Sequence, residues 1–297
     1  MKTPYAHHMS AGVDRELPNG IGVAVNYVHA RGFDHLSTID YNPVIPALGV
    51  QRRPLDVAGR PGTSASVLQY TSFGETWYNG LSLSVTKRFT NNWQFLASYT
   101  LSKAEDNSTD FQSAFLPQDS GQGRDPANAS GLPIGFNPDG ERGPSLQDQR
   151  HRCVLSGLYA APYGINISSI ITVASGRPYN ILAGFDFNGD GDGGTIPGPD
   201  RARANAADQS SSVGRNRGTL PTQATVDLRV NKRIPVGRRQ SIDAIFEVFN
   251  LANRANFTDV NNIFGIGSYP SSPSPTFGQF QQAAPPRQMQ LAVKINF

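Results

Sequence analysis

The closing segment, Arg287 to Phe297, reads R-Q-M-Q-L-A-V-K-I-N-F. Its apolar residues Met289, Leu291, Val293, Ile295 and Phe297 alternate with Gln288, Gln290, Ala292, Lys294 and Asn296. Strict period-two alternation predicts a β-strand whose two faces meet different surroundings, one apolar and one aqueous. Its length of about ten residues suits a tilted strand crossing a bilayer. It suits equally the last strand of a soluble β-sandwich with one buried face.

The same pattern recurs upstream in pairs. Thr222 to Arg233 sets Ala224, Val226, Leu228 and Val230 against Thr225, Asp227, Arg229 and Asn231. After a turn near Pro235-Val236-Gly237, Ser241 to Asn250 sets Ile242, Ala244, Phe246 and Val248 against Asp243, Ile245, Glu247 and Phe249. Arg150 to Ala161 and Ile165 to Ala174 pair about Pro162-Tyr163-Gly164. In the clearest pair Leu81, Leu83, Val85 and Phe89 oppose Ser82, Ser84, Thr86 and Arg88. That chain turns at Thr90-Asn91-Asn92 and returns with Trp93, Phe95, Ala97, Tyr99 and Leu101 on one face. A weaker pair, about Met9 to Glu16 and Ile21 to Ala30, turns at Pro18-Asn19-Gly20.

Between the pairs lie polar segments, roughly 31–77, 104–149, 175–221 and 251–286, on the order of 35 to 47 residues each and far above the usual connection length. They are rich in Gly, Pro, Asn, Asp and Ser and show no sustained helical period. Short turns alternating with long loops is the plan of an antiparallel transmembrane β-barrel. With Phe297 on the short-turn, periplasmic side, every long loop falls outside. The trace then gives about nine strands, the first and last both descending, whereas single-chain bacterial barrels have even counts. The pattern therefore predicts an all-β, incomplete barrel wall with irregular outer loops, with residues 1–297 forming the carboxyl-terminal portion of a larger barrel. Trp77, Tyr78, Phe89, Trp93, Tyr99, Tyr159, Tyr163, Phe249 and Phe297 lie at or near strand ends, where amphipathic rings form interfacial girdles.

Composition narrows the field further. No apolar run approaches the roughly 20 residues of a transmembrane helix, and the richest stretch is near Ile170 to Ala174. Barrel strands need no such run. A scattered net charge of +3 is too small for nucleic-acid binding. Cys153 stands alone, which excludes a disulfide framework and a cysteine metal cluster. Met1-Lys2-Thr3-Pro4-Tyr5 leads into His7 and His8 without the apolar core and cleavage site of a secretion signal. That start predicts either a cytosolic chain or the tail of a longer one.

Three groups of strings go beyond a generic strand pattern. The first is Tyr78-Asn79-Gly80-Leu81-Ser82-Leu83 with Lys87-Arg88-Phe89 and Ala97-Ser98-Tyr99-Thr100-Leu101-Ser102-Lys103-Ala104. The second is Asp148-Gln149-Arg150-His151-Arg152, Tyr159 and Ser175-Gly176-Arg177-Pro178. The third is Asp227-Leu228-Arg229, Lys232, Phe246-Glu247-Val248-Phe249-Asn250-Leu251 and Asn256-Phe257. In this order they resemble the barrel of Oar-like TonB-dependent outer-membrane receptors, from Pro4 to Phe297. The terminal strand, Met289 to Phe297, resembles the insertion signal of bacterial outer-membrane barrels. The resemblance implies a place in the cell outer membrane, contact with its lipid, and delivery by the barrel-assembly machinery. It implies uptake driven by the TonB complex acting on a plug domain, which this chain does not contain. The chain itself would supply barrel wall and ligand-contacting outer loops. A non-transporting surface adhesin and a soluble secreted β-sandwich binding module are the alternatives.

One motif carries metal chemistry. Asp186-Phe187-Asn188-Gly189-Asp190-Gly191-Asp192 fits the start of an EF-hand loop, D-x-N-x-D-G. Oxygens of Asp186, Asn188, Asp190 and Asp192 could converge on a weakly bound calcium because Gly191 permits a sharp turn. Pro197 stands where the loop's bidentate Glu belongs. A solvated turn is the alternative. His7 and His8 point to opposite faces of a strand, and His29, His35 and His151 share no motif spacing. No nucleophile setting such as G-x-S-x-G is present, so the reading is not an enzyme, and no cofactor is required.

Overall fold

The computed structural model describes residues 1–40, 68–107, 141–185, 198–208, 211–237 and 240–297. Nine long strands dominate these residues: β1 (Tyr5–Leu17), β2 (Ile21–Asp40), β3 (Leu68–Thr90), β4 (Trp93–Asp106), β5 (His151–Ala161), β6 (Ile165–Ala174), β7 (Gln223–Pro235), β8 (Ser241–Phe249) and β9 (Gln288–Asn296). They lie side by side in chain order, each antiparallel to the next. The sheet does not close: among the described residues β1 pairs only with β2, and β9 only with β8. It is an incomplete antiparallel barrel wall. No second sheet layer covers it among the described strands.

The short turns follow from local chemistry. Asn91 (φ 53°) and Asn92 (φ 67°) both adopt left-handed backbone between the paired Thr90 and Trp93. This is the geometry that matches the twist of a two-residue hairpin. Pro18-Asn19-Gly20 and Pro162-Tyr163-Gly164 close three-residue turns, each with Pro first and two left-handed residues after it. Asn and Gly tolerate that conformation at little cost.

Register places the alternating residues in rows. Val13, Val25, Leu83, Tyr99, Cys153, Val173 and Ala224 lie opposite one another across seven strands. Val23, Val85, Ala97, Leu155, Ile171 and Val226 form the next row. Towards the carboxyl end Tyr159, Ile167, Val230, Phe246 and Leu291 continue the same face. The other face carries Ser82, Ser84, Thr86, Ser98, Thr100, Asp227, Arg229, Glu247 and Gln290.

The wall departs from the pattern in three ways. Residues 31–40 and 68–77, expected as loop, are ladder: β2 and β3 stay paired up to Asp40 and Leu68, with a bulge near His35. Backbone pairing needs no apolar side chains, so it runs past the belt, where both faces meet water and alternation is lost. Tyr78 and Phe249, expected in a girdle, fall on the polar face by register, opposite Ala104 and Gln288. The outer segments, expected as irregular, are folded where described. Pro178–Tyr179 pairs with Gly218–Thr219, Leu182–Gly184 with Gly198–Arg201, and Phe257–Val260 with Phe280–Ala283. Ile181, Ala202, Val213 and Phe264 form a buried core among them, with Tyr179, Tyr269 and Phe277 packed on it.

Candidate functional site

The candidate functional surfaces are the apolar wall face and the folded cap at the end opposite the short turns. From Leu81 to Phe89 the apolar stretch of β3, flanked by Asn79 and Asn91, is about ten residues long. At ~3.3 Å per residue and a tilt near 45° it spans about 23 Å, close to the roughly 25 Å height of a barrel's hydrocarbon belt. Leu81, Leu83, Leu155 and Ile167 are exposed on this face, as residues awaiting an apolar solvent are. Polar groups of the same face pair at its outer margin. The Tyr27 hydroxyl donates to Asn79 Oδ1 (2.8 Å) and His29 Nδ1 lies 2.9 Å from the same oxygen; lower, in the rows of Leu81 and Leu83, Tyr99 Oη lies 2.8 Å from His151 Nδ1. At the turn margin Lys87 has the parity of the apolar face yet is buried. Its ammonium donates to the Thr90 hydroxyl (2.7 Å) and to the Thr90 and Trp93 carbonyls, 4.1 Å from the centroid of a Trp93 ring. A cation at that parity is tolerated because it folds away from the face.

The terminal strand sits where the sequence places it. Met289, Leu291, Val293 and Ile295 pair with Val248, Phe246, Ala244 and Ile242 on β8. Leu291 is 83% exposed and Phe297 95%, because β9 is a sheet edge as well as an apolar face. On the polar side of the same strands Arg233 holds Asp243 in two hydrogen bonds of 2.8 and 3.0 Å, and Asn296 adds one of 3.1 Å. Arg229 reaches Glu247 at 3.1 Å, and Gln290 also donates to Glu247.

The family-like strings turn out to be splices between wall and cap. Asn250, left-handed at φ 50°, receives the Arg254 amide on its side chain while its own amide donates to Asp227 Oδ1 (2.8 Å). Buried Asn256 accepts from the Ala224 amide (2.8 Å) and donates to the Ala224 carbonyl (3.0 Å), imitating one more residue of ladder. Ser175 bonds the His151 amide through its hydroxyl. A side chain at Gly176 would strike the Leu220 carbonyl, so the chain can pass that close only with glycine. Asn256→Ala should cost about 1–3 kcal/mol, since a buried amide and carbonyl lose their partners. Hydrogen exchange should then quicken at Ala224 and leave β3–β4 unchanged.

The cap's buried ions were not legible. Arg201 Nη2 donates to Glu141 at 2.8 Å, Arg203 lies 3.5 Å from Asp200, and Arg215 pairs with Asp106 and donates through Nε to the Glu141 carbonyl at 3.0 Å. Burial draws the Arg215 guanidinium down to about 10, still charged at neutral pH. Burial likewise raises the Tyr179 hydroxyl above its ordinary value. These contacts join residues far apart in sequence, and spacing carries no signal for them. The density of arginines from Arg201 to Arg217 was the one visible hint.

Asp186, Asn188, Asp190 and Asp192 lie outside the described residues. Among the described residues no group of His, Cys, Asp and Glu is arranged to hold a metal.

Over residues 1–290 the chain matches the family described as outer membrane beta barrel domain. Among solved structures it is similar to the outer membrane transporter YddB from Escherichia coli, with a TM-score of 0.57 and 13% identity, covering 100% of this chain and 33% of that one. It is also similar to the ferripyoverdine receptor of the outer membrane of Pseudomonas aeruginosa, with a TM-score of 0.51 and 12% identity, covering 99% of this chain and 27% of that one. The chain thus spans about a third of their length or less, and at such identity the likeness is one of fold. No curated protein matches the chain in sequence.

Proposed function

The chain belongs to the outer membrane beta barrel domain family, and from that premise we propose that it supplies part of the wall, and the ligand-contacting outer surface, of a TonB-dependent uptake receptor of the Oar-like kind. Its place is the outer membrane. The observation that supports the reading most is the apolar face that runs in register across the wall, interrupted towards the short turns by Arg15 and Lys232, with the turns at one end and a folded cap at the other. Function then divides along the wall. The apolar face meets lipid, the polar face with its Arg229–Glu247 and Arg233–Asp243 pairs lines the interior, and the cap meets ligand.

The strand directions limit how the ring closes. β1 and β9 run the same way, so neither closing on itself nor adding a second copy in the same orientation gives an antiparallel seam. An odd number of further strands does. Open strand edges in hydrocarbon leave backbone groups unsatisfied at several kcal/mol each, so the chain alone should aggregate or recruit those strands. The test is reconstitution into liposomes, with and without the remaining strands and plug of a receptor of this kind supplied in trans. The reading expects ligand-dependent flux only in the complemented sample. A monodisperse monomer that carries out gated flux alone would overturn it.

The terminal strand, Met289 to Phe297, acts in this reading as the signal read by the barrel-assembly machinery. Deleting Phe297 should lower the yield of heat-modifiable barrel in the complemented receptor while leaving ligand affinity per folded molecule unchanged. Unchanged yield with lost affinity would reassign it. We keep the Asp186–Asp192 loop as a weak calcium site, to be checked by calcium titration against the Asp190→Asn variant. Identical titrations would dismiss it.

A further inference from the structure

We propose that the outward rim of β2–β4 binds the phosphate-bearing headgroup of an outer-leaflet glycolipid, through Arg31 and Arg142 fixed against Trp77. The inference rests on the outer-membrane reading above, which sets this end of the wall at the outer leaflet. The register puts Arg31, Trp77 and Glu105 in one row, directly above the row of His29, Asn79 and Lys103 and two rows above Tyr27, Leu81 and Leu101. All have the parity of the apolar face, so they stand on the lipid side just beyond the belt.

The two guanidiniums share one indole. The Arg142 carbon lies 4.2 Å from the Trp77 ring centroid and the Arg31 carbon 5.7 Å, with Phe33 a further 4.7 Å support for Arg31. Stacking of this kind holds a guanidinium plane while leaving its edge donors free. Each arginine spends little of its donor capacity: Arg31 Nη2 on Glu75 at 2.9 Å, Arg142 Nη2 on Glu105 at 2.7 Å. Each has five donors, and the two side chains remain 44% and 46% exposed. Charge is also in excess. Glu105 serves both Arg142 and Lys103 (2.7 Å), so three cations face two carboxylates. Two guanidiniums held on one indole, with charge to spare, fit an anionic headgroup at the outer margin.

The chain, folded in its complemented barrel and purified from outer membranes in mild detergent, is analysed by native mass spectrometry with bisphosphorylated or dephosphorylated lipid A. The wild type should retain the phosphorylated form preferentially. The R31Q/R142Q variant should lose that preference, by about fivefold for each arginine removed. Equal retention of the two lipids by the wild type would overturn the site, even with a normal heat-modifiable band confirming the wall. Displacement of the glycolipid by millimolar inorganic phosphate alone would show a free-anion site and would equally overturn the lipid assignment. Should R31Q/R142Q fail to assemble, the wild-type comparison still decides. Absence of the wild-type barrel from the outer membrane would instead sink the reading on which the site rests.

Discussion

Val85→Arg should all but abolish recovery of the folded wall from the outer membrane, while Thr86→Arg, one residue on, should leave it near wild type. Val85 is flanked in register by Val23 and Ala97 and lies midway down the apolar stretch of β3. An arginine at mid-membrane on the lipid face of a barrel costs about 2–4 kcal/mol, and Val85 lies further from the turn than Lys87, whose ammonium is sheltered by the Thr90 and Trp93 carbonyls. Thr86 stands on the polar face between Gly22 and Leu96, exposed and on the same side as Arg88. An extra guanidinium there remains hydrated. The heat-modifiable fraction on a gel reads both variants. Equal recovery of the two would contradict the assignment of faces, whichever level it settled at.

Phe264→Ala should unfold the cap and spare the wall. Phe264 is 1% exposed. It meets Tyr269 and Phe277 edge-on at 5.2 and 5.1 Å and packs with Ile181, Ala202 and Val213. Its backbone also joins two segments, donating to Leu182 and accepting from Ser274. Loss of a buried Phe costs about 3–5 kcal/mol, more than so small a core can spare when a whole domain holds only about 5–15 kcal/mol. Limited proteolysis should therefore cut within 198–222 and 250–287 in the variant and not in the wild type. The heat-modifiable band should persist in both. Loss of that band together with the cap would mean that wall and cap fold as one unit.

The wall was legible because its information is local and periodic. Alternation at Leu81, Leu83 and Val85, or at Met289 to Phe297, states a face; Asn91-Asn92 and Pro18-Asn19-Gly20 state where the chain reverses. Legibility ended where the apolar phase ended. Beyond Arg31 and Trp77 both faces meet water, the alternation disappears, and continued ladder looked like loop. The cap was illegible for another reason. Phe264, Ile181 and Arg215 find their partners across long stretches of chain, through contacts that no spacing announces. Asn250 and Asn256 stood between the two cases. Their turn-forming character was visible, but not that Asn256 completes the ladder at Ala224.

The central claim is that the two faces of these strands meet different solvents. Spin labels placed singly from residue 79 to 89 and from 288 to 296, in a Cys153→Ser background because Cys153 is exposed on the apolar face, would test it most directly. In the assembled barrel, accessibility to oxygen and to a water-soluble nickel chelate should alternate with period two and opposite phase. Oxygen should be favoured at 81, 83, 85, 289, 291, 293 and 295, and nickel at 82, 84, 86, 290, 292 and 294. A flat profile, or the reverse phase on either strand, would contradict the account.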